Sequence, residues 1–531
     1  MRRSRERLAG ACLAGILLSA GGCTTLGPDF QTPEAAIAEE WKAQDAARIQ
    51  KDAEFNHDWW TALNDPVLDD LVDIAYQQNL PLQISGLRIL QARAQLGIAI
   101  GQQFPQFQQA AGALTRDKLS ENQPNFNPAL DDKYWQVNAG FDASWELDFW
   151  GRFRRGVESA SANLGSQIAS YDDALVSVTA EVARIYVVIR TLEERVAIAR
   201  DNAKTQERSY QIADVKFRNG AVSELDPSQA LTLLRSTEAQ IPELETQLHQ
   251  AMNALSILLG MPPGDLSSLL QGEKGIPSPP AEIAVGIPAD LLRRRPDIRQ
   301  AELQAASQSA AVGVAVTELY PRFSLVGSIG FLSSDTNESD LDDLFESDSF
   351  GYSVGPSFAW PILNYGRLKN NVRVQDARLE EALVNYQNTV LEALREVEDG
   401  LAGFTGTNAQ AVLLVDSVKA AERSVHLALI QYRDGAVDYQ RVLDTQQSLL
   451  SAQDRYTNVR GEIVLNLVAT YKALGGGWQI RAGNDILPQE RQEQMRDRTD
   501  WGGLIPETVP DDLPGPPPTG KAQPMFNRPD W

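Results

Sequence analysis

The side chains in this sequence that could do chemistry are few and scattered. Histidine occurs three times, at His57, His249 and His426, and no His/Cys/Asp cluster has the spacing of metal ligands. No GxSxG, P-loop or GxGxxG context is present. The "LRRRP" stretch, residues 292–296, has the charge of an anion site, and the paired rings of Trp59 and Trp60 have the form of a ligand platform. The acidic run from Asp335 to Asp348 reads as a solvated loop. Catalysis has little to stand on, so the chain is read as no enzyme, with no metal.

One residue does have a defined chemistry. "MRRSRERLAGACLAGILLSAGGC" has an Arg-rich start, an apolar stretch from Leu8 to Leu18, and small residues before Cys23, the form of a signal peptide over residues 1–22. "AGGC" resembles the bacterial lipobox, with Ala20 where Leu is usual, after which the cysteine is acylated. A covalent lipid on Cys23 is the single attached group expected, with no other cofactor. Cys12 leaves with the signal, so the mature chain keeps one cysteine and can form no internal disulfide. Thr24 in place of Asp directly after it favours the outer membrane. Ordinary secretion with a free thiol is the alternative.

The bulk numbers agree with an envelope protein. The chain has 531 residues, 43% hydrophobic, and a net charge of −23; residues 1–22 carry four Arg and one Glu, so their removal makes it −26. Such a charge disfavours nucleic acid and anionic surfaces as partners. No run of about 20 apolar residues follows the signal, which excludes a spanning helix.

The elements that position these residues come in pairs. At a shift of 215 residues "FDASWELDFWGRFRR" falls on "PSFAWPILNYGRLKN", and "QERSYQIADVKFRNGAV" on "AERSVHLALIQYRDGAV", pairing Gly220 with Gly435. The chain is internally duplicated. From Trp135 to Asp148 apolar and polar residues alternate without a miss, the two-residue period of a strand, and Phe350 to Ile362 repeat the pattern. Each is preceded by a second candidate strand, "PQFQQAAGALT" and "PRFSLVGSIGFL", so two hairpins are expected. Val137, Phe141, Val354 and Phe358 are expected to face lipid, because the strands are long enough to cross a membrane and aromatics mark their ends. A soluble, half-buried sheet would give the same alternation.

Helices fill the rest. From Leu164 through Phe217 apolar residues step by four and three, broken at Gln206, a 3.5-residue repeat that predicts a left-handed supercoil. One helix from 151 to 217 would be about 100 Å long. Gly220 and Gly435 suit left-handed helix ends at tip turns, and Ser223 and Asp438 suit N-caps of returning helices over 224–260 and 439–474. Two short helices stacked end to end would match one long helix in a cylinder. Four strands cannot close a barrel, and an open edge in lipid leaves backbone groups unpaired. Several copies must therefore combine, giving eight, twelve or sixteen strands.

Four stretches carry a resemblance: "LGPDFQTPEA" (26–35), "WWTALNDPVLDDLV" (59–72), the run from "LLRRRPDIRQ" to "LVGSIGF" (291–331) and "YKALGGGW" (471–478). In this order they resemble the TolC-like outer-membrane efflux proteins, in the lipoprotein branch that includes OprM and NodT. The resemblance implies an α+β membrane protein: a homotrimer whose 12-stranded barrel continues into a 12-helix periplasmic α-barrel with a mixed equatorial region. It implies a passive duct for drugs or other small toxic compounds, docked to a periplasmic adaptor and an inner-membrane pump of the resistance-nodulation-division type. It makes "LRRRP" a helix start and Trp59–Trp60 anchors in the equatorial region.

The organisation follows: signal peptide 1–22, lipidated equatorial segment 23–79, first repeat 80–260, linker 261–289, second repeat 290–475, and an equatorial segment with a disordered Pro-rich tail over 476–531, the tail starting after Trp478. By motif position Asp444 matches the family's constriction aspartate, while Gln440 and Gln447 stand where relatives place Leu and Arg. A ring of such carboxylates would repel and attract cations. Asp438 is read as a cap before a pore residue. The alternatives are a type I protein-secretion duct and a structural coiled-coil tether.

Overall fold

The computed structural model describes residues 24–34, 37, 41, 42, 49, 50, 56–122, 124, 132–264, 266–272, 275–280, 282–284, 288, 291–336 and 339–505. Cys23 and the Pro-rich stretch 511–521 lie outside them.

Helix α1 (Pro66–Gln78) starts where Asp65 accepts from the Val67 amide at 3.1 Å, with Pro at the first helical position. Asn79 then caps α2 (Leu80–Gly101) through the Leu82 amide and donates to the Leu258 carbonyl at 2.8 Å. Strands β1 (Phe107–Lys118) and β2 (Lys133–Glu146) form the first hairpin. Helix α3 (Arg152–Arg218) runs 67 residues and α4 (Leu225–Leu258) returns along it. The second repeat gives α5 (Pro296–Thr317), β3 (Arg322–Ser334), β4 (Phe350–Ala359), α6 (Arg367–Arg433), again 67 residues, and α7 (Tyr439–Ala473).

The long helices begin and end by the same devices. Asp148 accepts from the amides of Phe153 and Arg154 at 3.1 and 3.0 Å, capping the first turn of α3. At the far end Gly220 has φ +73° and Gly435 φ +76°, each closing its helix with paired backbone bonds that need the left-handed conformation. Two expectations fail locally. Ser223 is no side-chain cap, since α4 starts a residue later than expected, at Leu225, with Glu224 in the cap position and no side-chain cap bond. Strand β2 ends at Glu146 and β4 at Ala359, so Leu147, Asp148, Trp360 and Ile362 lie in the turns that lead into the helices.

The four strands form one antiparallel sheet in the order β1-β2-β3-β4, with β1 and β4 at open edges. The helices pack in matching order, α2 on α3, α3 on α5, and α5 on α6. The apolar core lies below the sheet, where Trp59 is buried and stacks on Tyr471 with centroids 5.4 Å apart. Arg295 of "LRRRP" is buried there as structure: it pairs with Asp297 at 2.6 Å and Glu396 at 2.8 Å and donates to the Ala473 carbonyl. Arg481 and Asp172 form a fully buried ion pair.

As far as Ile505 the segment after Trp478 is ordered, against the expectation of a disordered tail starting there; residues 506–531 lie outside the described residues. The segment holds a helix, α8 (Gln489–Arg498), and remains packed to Ile505. Ile486, Leu487, Met495 and Ile505 bury themselves against Leu82, Ile89, Leu90 and Leu175. These isolated apolar residues stabilise it although its composition is polar.

Candidate functional site: a two-faced sheet and a helical tip

Residues directly opposite across antiparallel strands share a face of the sheet. The register places Phe141, Ile329 and Tyr352 in one row, Ala143, Gly327 and Val354 in the next, and Val137 beside Leu114. Phe358 pairs with Phe323 on that same face. The four residues expected to face lipid are therefore brought onto one continuous apolar surface, and Val354 and Phe358 are exposed. The opposite face carries mostly small and polar side chains, among them Asn138, which accepts from the Ala113 amide, and Asp142, which accepts from Gln109. Ten residue steps separate Trp145 from Trp135. At ~3.3 Å each and a tilt of ~40° they span about 25 Å of height, the thickness of a barrel's apolar band.

Aromatics gather where sheet meets helix. The indole nitrogens of Trp145, Trp150 and Trp360 donate to the carbonyls of Gln103, Pro321 and Leu319 at 2.8–3.1 Å. Residues just after Cys23 are clasped beside them. The Leu26 amide donates to the Trp150 carbonyl, and Arg155 holds Asp29 at 2.6 Å and the Leu26 carbonyl at 3.1 Å. Gly27 passes so close to Gly313 of α5 that a side chain on either would collide with the backbone of the other segment.

The other end of the helices carries the candidate gate. Asp438 caps α7 by accepting from the Arg441 amide at 3.3 Å. Asp444 is exposed and accepts from Gln440 Nε2 at 2.7 Å; Gln440 Oε1 accepts in turn from Gln229 at 3.2 Å. Gln447 is also exposed, one turn along α7. The structure adds contacts that sequence reasoning missed. Tyr432, buried at the end of α6, donates its hydroxyl to Asp226 of α4 at 2.9 Å. Lys216 of α3 donates to the Tyr432 carbonyl at 2.6 Å and lies 4.6 Å from its ring. Burial and the Asp226 carboxylate push the Tyr432 hydroxyl pKa up, keeping it a donor. The signal was available: Tyr432 falls on Phe217 at the repeat shift, so the halves differ by one hydroxyl.

Within a repeat the helices join by apolar contact, as where Leu192, Val196 and Ala199 of α3 meet Leu244 of α4. Between repeats, α3 meets α7 through polar groups along its middle, and Ala213 packs with Tyr439 and Val442 at the tip. Asn202 donates to Gln453 at 2.7 Å, Gln446 donates to Ser209 at 2.7 Å, and Arg195 pairs with Asp454 at 2.7 Å. Gln206, the residue that breaks the heptads, is buried with neither amide atom partnered among the described residues.

The two repeats are also where a known sequence profile fits. The profile of outer membrane efflux proteins matches residues 71–261 and 287–476. The chain belongs to the outer membrane efflux protein family. This efflux protein is 33% identical over 466 residues to the pyoverdine export outer membrane protein OpmQ of Pseudomonas aeruginosa, covering 86% of this chain and 96% of that one. It is 33% identical over 481 residues to the solvent efflux pump outer membrane protein SrpC of Pseudomonas putida, covering 87% and 97%. Its fold matches the solved outer-membrane channel OprN with a TM-score of 0.79 at 31% identity, over 86% of this chain and 99% of that one. The efflux protein is thus an outer-membrane transport duct of the OprM/NodT type. Among its described residues no group of three or more His, Cys, Asp or Glu could hold a metal ion, and no helix is long and apolar enough to cross a membrane.

Proposed function

We propose that three copies of this chain close one barrel in the outer membrane and continue it as a helical tunnel into the periplasm. The duct would receive drugs, solvents or other small toxic compounds from a periplasmic adaptor and an inner-membrane pump of the resistance-nodulation-division type. One observation carries the assembly. Long helices α3 and α6 have the same length and heptad pattern, yet Ala169 and Val176 of α3 are 0% and 3% exposed, while their repeat equivalents Val384 and Leu391 of α6 are 55% and 57% exposed. Helix α3 has a neighbour on each side and α6 lacks one. The exposed Leu80, Ile84 and Ile98 of α2 offer the missing surface from the next copy, as edge β1 offers a partner to edge β4. Twelve strands from three copies is the closure that the family resemblance implies.

The clasp of residues 24–29 at the aromatic belt supports acylation of Cys23, since it leads the chain to the membrane surface. The gate reading rests on Asp444, with Gln440 and Gln447 on the same helix face. We assign opening to the α6–α7 hairpin parting from α3, because much of the contact along the middle of α3 is polar and costs little to rehydrate. Single-channel recording of the purified protein in planar bilayers tests the reading. Wild type should conduct, Asp444→Ala should raise resting conductance and weaken cation preference, and Asp438→Asn should do neither. A protein that inserts as no channel ends the duct proposal; an Asp444 variant that behaves as wild type removes that residue from the gate.

A further inference from the structure

The distal end of the first hairpin carries a charge pattern that an exit duct does not require. Strand β1 ends "TRDK" and β2 begins "KYW". The register sets Lys118 directly opposite Lys133, and Arg116 directly opposite Trp135. All four therefore lie on the apolar, outward face, while Asp117, paired with Tyr134, points to the other face. Like charges placed opposite each other destabilise a hairpin. Here the three cations are exposed, and none has an ion pair among the described residues; Arg116 lies 5.4 Å from the Trp135 ring. On this edge Asp117 lies on the other face, and Asp335 is committed to the Trp135 amide. A protein of net charge −23 thus keeps a compact basic triad where the apolar band ends.

We propose that Arg116, Lys118 and Lys133 bind the phosphate groups of a phosphorylated, acylated lipid in the outer leaflet. The inference rests on the reading that the hairpins cross the outer membrane with their turns outward. The chemistry matches at both ends of such a lipid. Its phosphates relieve the Lys118–Lys133 repulsion, with Arg116 held by the Trp135 ring to present its guanidinium. Its acyl chains lie on the apolar face immediately below, over Leu114, Val137 and Phe141. A free anion would satisfy the charges but would leave that apolar adjacency unused.

The test uses the purified full-length protein in phosphatidylcholine vesicles, with lipopolysaccharide as the probe and native mass spectrometry or lipid-exchange fluorescence as the readout. Wild type should retain lipopolysaccharide, and the triple variant Arg116→Gln, Lys118→Gln, Lys133→Gln should bind it on the order of a hundredfold more weakly, from three cations at an anionic lipid surface. Dephosphorylated lipopolysaccharide should bind wild type as weakly as the variant does with the intact lipid. Inorganic phosphate at equal concentration should displace none. Equal retention by wild type and variant, equal binding of the dephosphorylated lipid, or displacement by free phosphate each overturns the site. Conductance is recorded in parallel. A conducting triple variant with unchanged retention defeats this inference alone, whereas a wild type that forms no channel defeats the reading beneath it.

Discussion

Tyr432 and Asp226 are 206 positions apart in the chain, yet the hydroxyl of one donates to Oδ2 of the other at 2.9 Å, fastening the second helical hairpin to the first at the tip. The bond is shielded, because Tyr432 is buried and packs edge-on against Tyr439 with centroids 5.2 Å apart. It is a direct contact between α6 and α4, beside the buried cluster that holds Ala230 and Ala428.

Removing that hydroxyl should loosen the closed tip. A hydrogen bond to a charged group contributes about 1.5–3 kcal/mol, so Tyr432→Phe should shift the closed-to-open ratio by about tenfold or more. Single-channel traces of the variant should show frequent opening in the absence of any pump. A closed-time distribution identical to that of wild type would mean that Lys216 and the polar seam hold the tip without it.

The seam itself can be tightened. Gln206 is buried with both amide atoms unpartnered, and leaving such groups unsatisfied costs about 1–3 kcal/mol. Gln206→Leu restores the heptad and should raise the thermal midpoint while making openings rarer. A lower midpoint would show that the amide has a partner in the assembled protein.

The apolar face can be tested at mid-height. Phe141 sits near mid-height between Trp135 and Trp145, so Phe141→Arg should cost roughly 2–4 kcal/mol of stability in lipid, whereas Ser353→Arg, on the polar face, should cost much less. Heat-modifiable gel mobility after reconstitution ranks the two. Equal losses would reverse or erase the assignment of faces.

The equatorial core should show an inverted acid response at one residue. Burial foremost, then Asp297, pushes the Asp173 carboxyl up to about 6, above the ordinary 3.8 of an exposed carboxyl. A pKa higher in the folded state means that the fold binds the proton more tightly. The contribution of Asp173 is therefore most favourable below pH ~4 and is lost as pH rises through about 6. Asp173→Asn, which stays neutral, should melt higher than wild type at pH 7 and match it near pH 4. A difference that does not change over this range would exclude Asp173 as a titrating group.

Much of this architecture was legible because its signals are local and repeated. The ends of α3 were marked by Gly151 and Gly220, and its interior by apolar residues every three and four positions. The strands announced themselves by alternation, and the register then put Val137, Phe141, Val354 and Phe358 on one face. What escaped depends on contacts across the chain. Neither Tyr432 nor Asp226 is unusual in its own segment, and the bond exists because two hairpins meet. Ile486, Leu487 and Met495 are too sparse for any periodicity, and only the groove against α2 makes them core. Ser223 had the chemistry of a cap but sat one residue early.

The equal length of α3 and α6 has a consequence for how such a chain can change. Inserting one residue in a long helix advances it by about 1.5 Å and turns everything beyond by about 100°. The seam residues of one repeat would then face away from those of the other. Seven residues, close to two full turns, restore the facing and lengthen the helix by about 10.5 Å. Because α3 runs beside α2 and α4 of its own repeat and beside α5 and α7 of the other, the addition must be made in all of them at once. The length of the helical body is thus quantised in heptads and locked between the two halves. Point substitution can retune its surface freely, but the length of the helical body can be altered only by coordinated duplication.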